Sequence, residues 1–269
     1  MKKITALIPC LNEEAGIRQV VEAFPRAAMR RQGYELEVLV IDNNSKDRTA
    51  AVARAAGARV VKETKPGKGN AIRRGMASLS KDTEFVIMLD GDDTYRPEEV
   101  LRLIEPLDSG FCKVVIGSRL GGRIPEGTMK GFNMLGNWVF SHLVRYFYHV
   151  NVTDVLTGYF AWNREVVDEL QPHLVSPHFA IEMEMVTKMA RLGHEIYSVP
   201  ISYNPRAGQS NLRPVYDGSR ILKMFVVNLR WKPVTVMSPT ARRERRLHPV
   251  RALRRAITFG ERIGDGEGK

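Results

Sequence analysis

The sequence predicts an α/β protein, a mostly parallel sheet covered on both faces by helices, on two observations. Short β-branched apolar runs recur through the first 118 residues, and amphipathic stretches separate them. The candidate strands are Ile4–Ile8, Val38–Ile41, Arg59–Lys62, Phe85–Leu89 and Val114–Ile116. A helix is expected over Glu14–Arg31, and another over Asp47–Ala56 with Ser45 as its N-cap. From Gly121 the texture changes to a glycine-rich stretch ending at Gly131, then an aromatic amphipathic stretch Phe132–His149, then mixed structure to about Trp231. No repeat and no second independent domain is read. Residues 232–269 carry Pro233, Pro239 and Pro249 with little hydrophobic periodicity, and are expected to form a basic, partly disordered C-terminal tail.

Bulk properties narrow the class. With 269 residues and 43% hydrophobic content the chain can bury a sizeable core. The net charge of +11 is uneven, because Arg242, Arg243, Arg245, Arg246, Arg251, Arg254 and Arg255 crowd the end. Such a block suits an anionic membrane surface or a solvated terminus. Nucleic acid is not expected as a partner, since the block lacks interleaved aromatics and a recognisable binding module. Cys10 and Cys112 lie in separate apolar stretches with no Cys-x-x-Cys spacing, so they read as core thiols of a reducing compartment. No stretch resembles a signal peptide or approaches the ~20 apolar residues of a spanning helix. A cytoplasmic protein is expected.

In sheets of this kind ligands bind beyond the carboxyl ends of the strands, so the residues just after each strand matter most. Asp90-Gly91-Asp92 places two carboxylates there, a donor set for a hard cation such as Mg²⁺ or Mn²⁺. The plainer alternative is a solvated acidic turn with Asp93 capping the helix that follows. Asp42 ends the second strand, where it can accept hydrogen bonds from a nucleoside or form an Asx turn with Asn43 and Asn44. Asn12, in Pro9-Cys10-Leu11-Asn12-Glu13-Glu14, can cap the first helix. Gly67-Lys68-Gly69-Asn70-Ala71 is a basic loop suited to phosphate, but its spacing is not that of a P-loop.

Taken together these segments, with Val40-Ile41-Asp42-Asn43-Asn44-Ser45, Gly117-Ser118-Arg119, Thr157-Gly158-Tyr159 and the stretch from Phe179 to Leu212, resemble the family 2 glycosyltransferases of GT-A (Rossmann-like) fold. Within that family the similarity is to polyprenyl-phosphate sugar synthases of the dolichyl-phosphate mannose synthase type. It covers about residues 4–225 and leaves the tail outside.

The resemblance implies a GT-A domain over 1–231, with a nucleotide-binding part of about 1–120 and an acceptor part of about 121–231. It implies transfer of a hexosyl group, with inversion, from a GDP- or UDP-linked sugar to a polyprenyl or dolichyl phosphate. Pro9, Glu13, Asp42, Lys68, Gly69 and Asp90 are then donor-binding, and Asp90 and Asp92 hold the metal. Arg119, Arg206 and Ser210 are expected at phosphate groups, and Glu182 or Glu184 faces the sugar. Asp92, Arg119, Glu182 and Glu184 form the expected catalytic set. Two departures stand out: Ser210-Asn211-Leu212 replaces the usual Ser-Lys-Leu, and Thr94 is a poor metal ligand. A small soluble acceptor and a sugar-phosphate nucleotidyltransferase are the competing enzymes, and a non-enzymatic basic binding protein is the third reading. With a lipid-phosphate acceptor and no spanning helix, the enzyme is expected at the cytoplasmic membrane face, held by Arg242–Arg255 and apolar residues of Phe132–Val150.

Overall fold

A computed structural model of the chain describes residues 1–125, 131–205 and 213–233. Its strands are β1 (Lys2–Cys10), β2 (Tyr34–Asp42), β3 (Arg59–Lys62), β4 (Thr83–Met88), β5 (Val114–Arg123), β6 (Phe160–Asn163) and β7 (Ile196–Ser202). The helices are α1 (Ile17–Glu22), α2 (Arg26–Arg31), α3 (Thr49–Ala55), α4 (Lys68–Met76), α5 (Val100–Asp108), α6 (Gly131–Tyr148), α7 (Arg164–Leu170), α8 (Ile181–Leu192) and α9 (Pro214–Arg230). All seven strands join one sheet in the order β3-β2-β1-β4-β6-β5-β7. It is parallel except for β6, which runs against both its neighbours. The mostly parallel α/β architecture is therefore as expected.

Strand periodicity explains the two layers. Successive side chains point to opposite faces, so Ala6 and Ile8 of β1 and Val38 and Val40 of β2 join a core beneath α1, α2 and α5. Leu7, Leu39 and Ile41 join the opposite core with residues of α4, α6, α8 and α9. Strands buried on both faces read as continuous apolar runs, the signal by which the sequence betrays them.

The structure corrects several expectations. The helix expected over Glu14–Arg31 is two helices, broken before Pro25, which has no N–H to continue the ladder and restricts the residue before it. Ser45 caps nothing; α3 starts at Thr49, and the Ser45 hydroxyl accepts the Asn12 N–H at 3.0 Å. Asn12 caps nothing either, its side-chain oxygen accepting from the Lys46 N–H at 2.8 Å. Asp93 is not a helix cap, since the turn Pro97–Glu99 starts after Arg96 and has no side-chain cap. Arg206, Ser210 and the arginine-rich tail lie outside the described residues.

Candidate active site

Strand order reverses between β1 and β4, because β2 and β3 lie on one side of β1 and the later strands lie on the other. A pocket of about 280 Å³ opens there. Pro9, Cys10, Leu11 and Glu13 line it from the end of β1, Asn43 from the end of β2, and Asp90, Gly91 and Asp92 from the end of β4. Pro66, Gly67, Lys68 and Ala71 close one side, and His178 and Phe179 another.

The first two loops hold each other. Backbone N–H groups of Glu13 and Glu14 donate to Thr49 Oγ1 (2.8 Å) and Asp47 Oδ2 (3.1 Å), and the Arg48 N–H donates back to Glu14 Oε2 (2.9 Å). Asp42 is nearly buried, its Oδ1 accepting from the Ser45 N–H at 3.1 Å, the turn geometry weighed as its plainer role. Asn43 does more than the sequence suggested. Its side-chain oxygen accepts the Gly67 N–H at 2.7 Å, while its amide donates to the Glu63 and Lys65 carbonyls at 3.1 and 2.7 Å. One side chain thereby fixes the whole approach to α4.

Lys68 begins α4 and is the electrostatic centre of the pocket. Its ammonium lies 2.7 Å from Asp90 Oδ1 and 2.7 Å from Glu182 Oε1. Burial alone would lower the Lys68 pKa, but the two carboxylates reverse this and hold it above the ordinary lysine value. Gly69, one residue on, passes so close to α8's approach that a Cβ there would sit 2.0 Å from the Ser176 carbonyl oxygen. The glycine is needed for contact.

The two glutamates separate cleanly. Glu182 meets Lys68 at the pocket; its carboxyl is pushed up by burial, a rise that Lys68 opposes. Glu184 turns away, fully buried, accepting the Val175 and Ser176 N–H groups and pairing with Lys188. It ties down the backbone of residues 175 and 176 and does not line the pocket.

Asp92 is also nearly buried, with Oδ1 accepting from the Thr94 N–H (3.2 Å) and hydroxyl (2.6 Å). Thr94 thus orients the carboxylate. Asp90 is cradled from the far side by Gly158, where a Cβ would come within 2.6 Å of Asp90 Oδ2. Negative charge concentrates at this end: burial pushes the Cys10 thiol up, and Glu13, Asp90, Asp92 and Asp42 push it further. Among the described residues no group of three or more His, Cys, Asp or Glu side chains could hold a metal unaided. Two carboxylates lining this pocket do suit Mg²⁺ or Mn²⁺, which commonly takes one or two protein carboxylates and completes its shell from water and substrate phosphates.

Arg119, in the second half of β5, is buried and engaged. Nε and Nη2 each lie 2.8 Å from an Asp154 oxygen, its backbone N–H donates to Asp154 at 2.8 Å, and Nη2 also donates to the Leu156 carbonyl. Asn137 of α6 adds a 2.6 Å bond to Asp154. The guanidinium lies over the Tyr203 ring, 5.3 Å from its centre. This network braces the segment leading to Gly158. Asp154 carried no recognisable sequence signal, since a lone aspartate in a mixed stretch looks like a turn.

The fold and pocket define an α/β protein with a pocket at the switch point of its sheet, the place where proteins of this architecture bind ligands. Residues 5–171 match the glycosyl transferase family 2. Glycosyltransferase AglJ of Haloferax volcanii is 34% identical over 81% of this chain and 69% of its own. A dolichyl-phosphate hexose transferase of the same organism is 32% identical over 80% and 89%. Among solved structures, the glucosyl-3-phosphoglycerate synthase of Mycobacterium tuberculosis, in complex with Mn²⁺, uridine diphosphate and phosphoglyceric acid, is similar with a TM-score of 0.63. Its identity is 26%, over 87% of this chain and 80% of that one. The chain belongs to glycosyl transferase family 2, with the GT-A fold, and is a glycosyltransferase.

Proposed function

We propose that the enzyme moves a hexosyl group from a GDP- or UDP-linked sugar to a polyprenyl or dolichyl phosphate, that residues 1–231 form its catalytic domain, and that it works at a membrane surface. The observation that carries the donor half is the pocket itself, which sets Asp90, Asp92 and the Lys68 ammonium at one strand edge. Asp90 and Asp92 would hold Mg²⁺ or Mn²⁺, which when bound neutralises charge on the departing diphosphate. Lys68, held between Asp90 and Glu182, keeps a second positive charge beside the same phosphates. Pro9, Glu13 and Asn43 shape the nucleoside end, and Asp42 acts there by fixing the turn.

An oxygen of the acceptor phosphate attacks the anomeric carbon opposite the leaving group. A new C–O bond forms, the bond to the donor's β-phosphate breaks, and its electron pair leaves with the nucleoside diphosphate. The configuration inverts. The nucleophile is already an anion, so no strong base is required, consistent with a Glu182 that is tied to Lys68. Arg119 serves as a brace for the Leu156–Gly158 segment, because its guanidinium is committed to Asp154.

The acceptor half is supported by the dolichyl-phosphate hexose transferase among the relatives. A soluble acid is the second reading, favoured by the phosphoglyceric acid in the similar solved structure. Incubation with GDP-mannose, UDP-glucose or UDP-N-acetylglucosamine and Mn²⁺, offering an isoprenyl phosphate in detergent or phosphoglyceric acid in buffer, decides between them. A glycosyl phosphoisoprenoid product supports the proposal; glycosylation of the soluble acid alone overturns it.

A further inference from the structure

Fifteen large hydrophobic side chains stand exposed among the described residues, and six of them are on α6 and five on α9. These helices touch: the Phe147 and Phe225 ring centres are 5.8 Å apart, and the Tyr148 hydroxyl donates to the Phe225 carbonyl at 2.7 Å. The outward direction of α6 is fixed by its inner side. Asn137, Ser141 and Val144 are buried, with Asn137 bonded to Asp154 and the Ser141 hydroxyl accepting the Val155 N–H. Leu135, Trp138, Val139 and Tyr146 therefore face outward by construction, and Leu222 and Val226 do so on α9. An apolar surface of this extent marks an interaction site.

Charge identifies the occupant. Helix α6 contains no acidic residue, and the only one in α9, Asp217, is buried and accepts the Arg213 N–H at 2.7 Å. The exposed charges of the two helices are all basic: Arg145, Arg220, Lys223 and Arg230. A second copy would set like charges against each other, and so would the arginine-rich residues after Pro239 of this chain. Apolar side chains with aromatic residues and a basic fringe match the boundary between acyl chains and anionic headgroups. Neither helix is long and apolar enough to cross a membrane, so the match is to the surface.

We infer that the α6–α9 face docks on an anionic phospholipid bilayer, Leu135, Trp138 and Val226 entering the acyl boundary while Arg145, Arg220, Lys223 and Arg230 meet lipid phosphates. The inference rests on the lipid-phosphate reading for its purpose, and it assigns docking to the folded face instead of the C-terminal arginines.

The full chain is sedimented with phosphatidylcholine vesicles, with and without phosphatidylglycerol, alongside Leu135→Glu, Val226→Glu, and a full-length variant with Arg242, Arg243, Arg245 and Arg246 changed to Gln. Binding to the anionic vesicles is expected to fall on the order of tenfold or more for each face variant and to survive in the tail variant. In a Trp231→Phe background, Trp138 fluorescence shifts blue on binding, while Trp162, fully buried, does not respond. Unchanged stabilisation by uridine or guanosine diphosphate shows that the face variants are folded. Undiminished vesicle binding by those variants overturns the inference, as does a dimer in light scattering that the same substitutions dissolve while vesicles are ignored. If vesicle binding behaves as expected but no isoprenyl phosphate is glycosylated in detergent, the acceptor reading fails and the docking face stands.

Discussion

Asp92 and Arg119 are both charged, both nearly buried and both at the carboxyl edge of the sheet, yet their partners give them opposite tasks. Asp92 is oriented by Thr94 toward a pocket. Asp92→Asn keeps the shape and the Thr94 contact while removing the charge a cation requires. Turnover is expected to fall at least ~100-fold, about 2.7 kcal/mol of transition-state stabilisation, with the fold intact; metal-dependent turnover near the wild-type rate would remove Asp92 from the site. Arg119→Met should act on stability first. It strands Asp154, and losing one partner of a buried pair costs about 3–5 kcal/mol.

The pH dependence of that loss follows from Asp154. Burial would raise its pKa, but Arg119, Asn137 and the Arg119 N–H hold it below the ordinary value. A carboxyl depressed in the folded state adds stability that is present above its unfolded pKa of about 3.9 and is lost as pH falls through the lower folded value. Without Arg119 the burial effect prevails and the proton is retained to higher pH. The stability gap between wild type and Arg119→Met, measured by urea unfolding, should be widest near neutrality and should narrow below about pH 4. A gap independent of pH would show that Asp154 is not the group stranded.

At the scale of elements, the loop entering α4 is positioned from three directions, by Asn43, by Asp90 and Glu182 through Lys68, and by the Ser176 carbonyl through Gly69. Gly69→Ala adds one methyl where there is no room. A loss of roughly 1–3 kcal/mol in stability is expected, the scale of overpacking a close contact, together with weaker thermal stabilisation by a nucleoside diphosphate. Stability and nucleotide response both equal to wild type would mean the loop is not seated on residue 176. The same elements show what a sequence can reveal. Strands β1, β2, β4 and the start of β5 were legible because doubly buried strands are nearly all apolar, while the edge strand β3 showed only as a β-branched pair; the strand-end rule led to Asp42, Asp90 and Asp92, and the glycine-flanked basic loop to Lys68. Strands β6 and β7 escaped notice: Phe160–Asn163 is only four residues long, and Ile196–Ser202 carries a proline and polar residues at the sheet's edge. Glu182 and Glu184 could not be told apart because both occupy the first turn of a helix buried almost all round, so no exposed face orients it. The Ser45 and Asn12 caps failed for a related reason. A short polar side chain satisfies a neighbouring loop as readily as its own helix.

At the scale of the molecule, the pocket draws on β1, β2, β4, α4 and the approach to α8, so a ligand there would tie distant parts of the sheet together. A nucleoside diphosphate with Mn²⁺ should raise the melting temperature more than either alone, because each completes the other's ligand shell. At a hundredfold excess over its dissociation constant, a ligand specific to the folded state adds about 2.7 kcal/mol. Equal shifts with and without Mn²⁺ would argue that Asp90 and Asp92 serve no cation.

The antiparallel strand β6 has a consequence for how the chain assembles. Strands β1 to β4 come from residues 2–88 and pair only among themselves until β6 arrives, so that half of the sheet can form while the remainder is still being synthesised. Strand β5 has no partner in it. Both edges of β5 wait for residues 160–163 and 196–202, a long closure that pays its entropy late. The pocket's strand ends thus belong to the early-forming half, and the segment carrying Asp154 and Gly158 is locked down later, with β6. A ribosome-bound chain stopped soon after β5 should show protected amides in β1, β2 and β4 and open ones in β5.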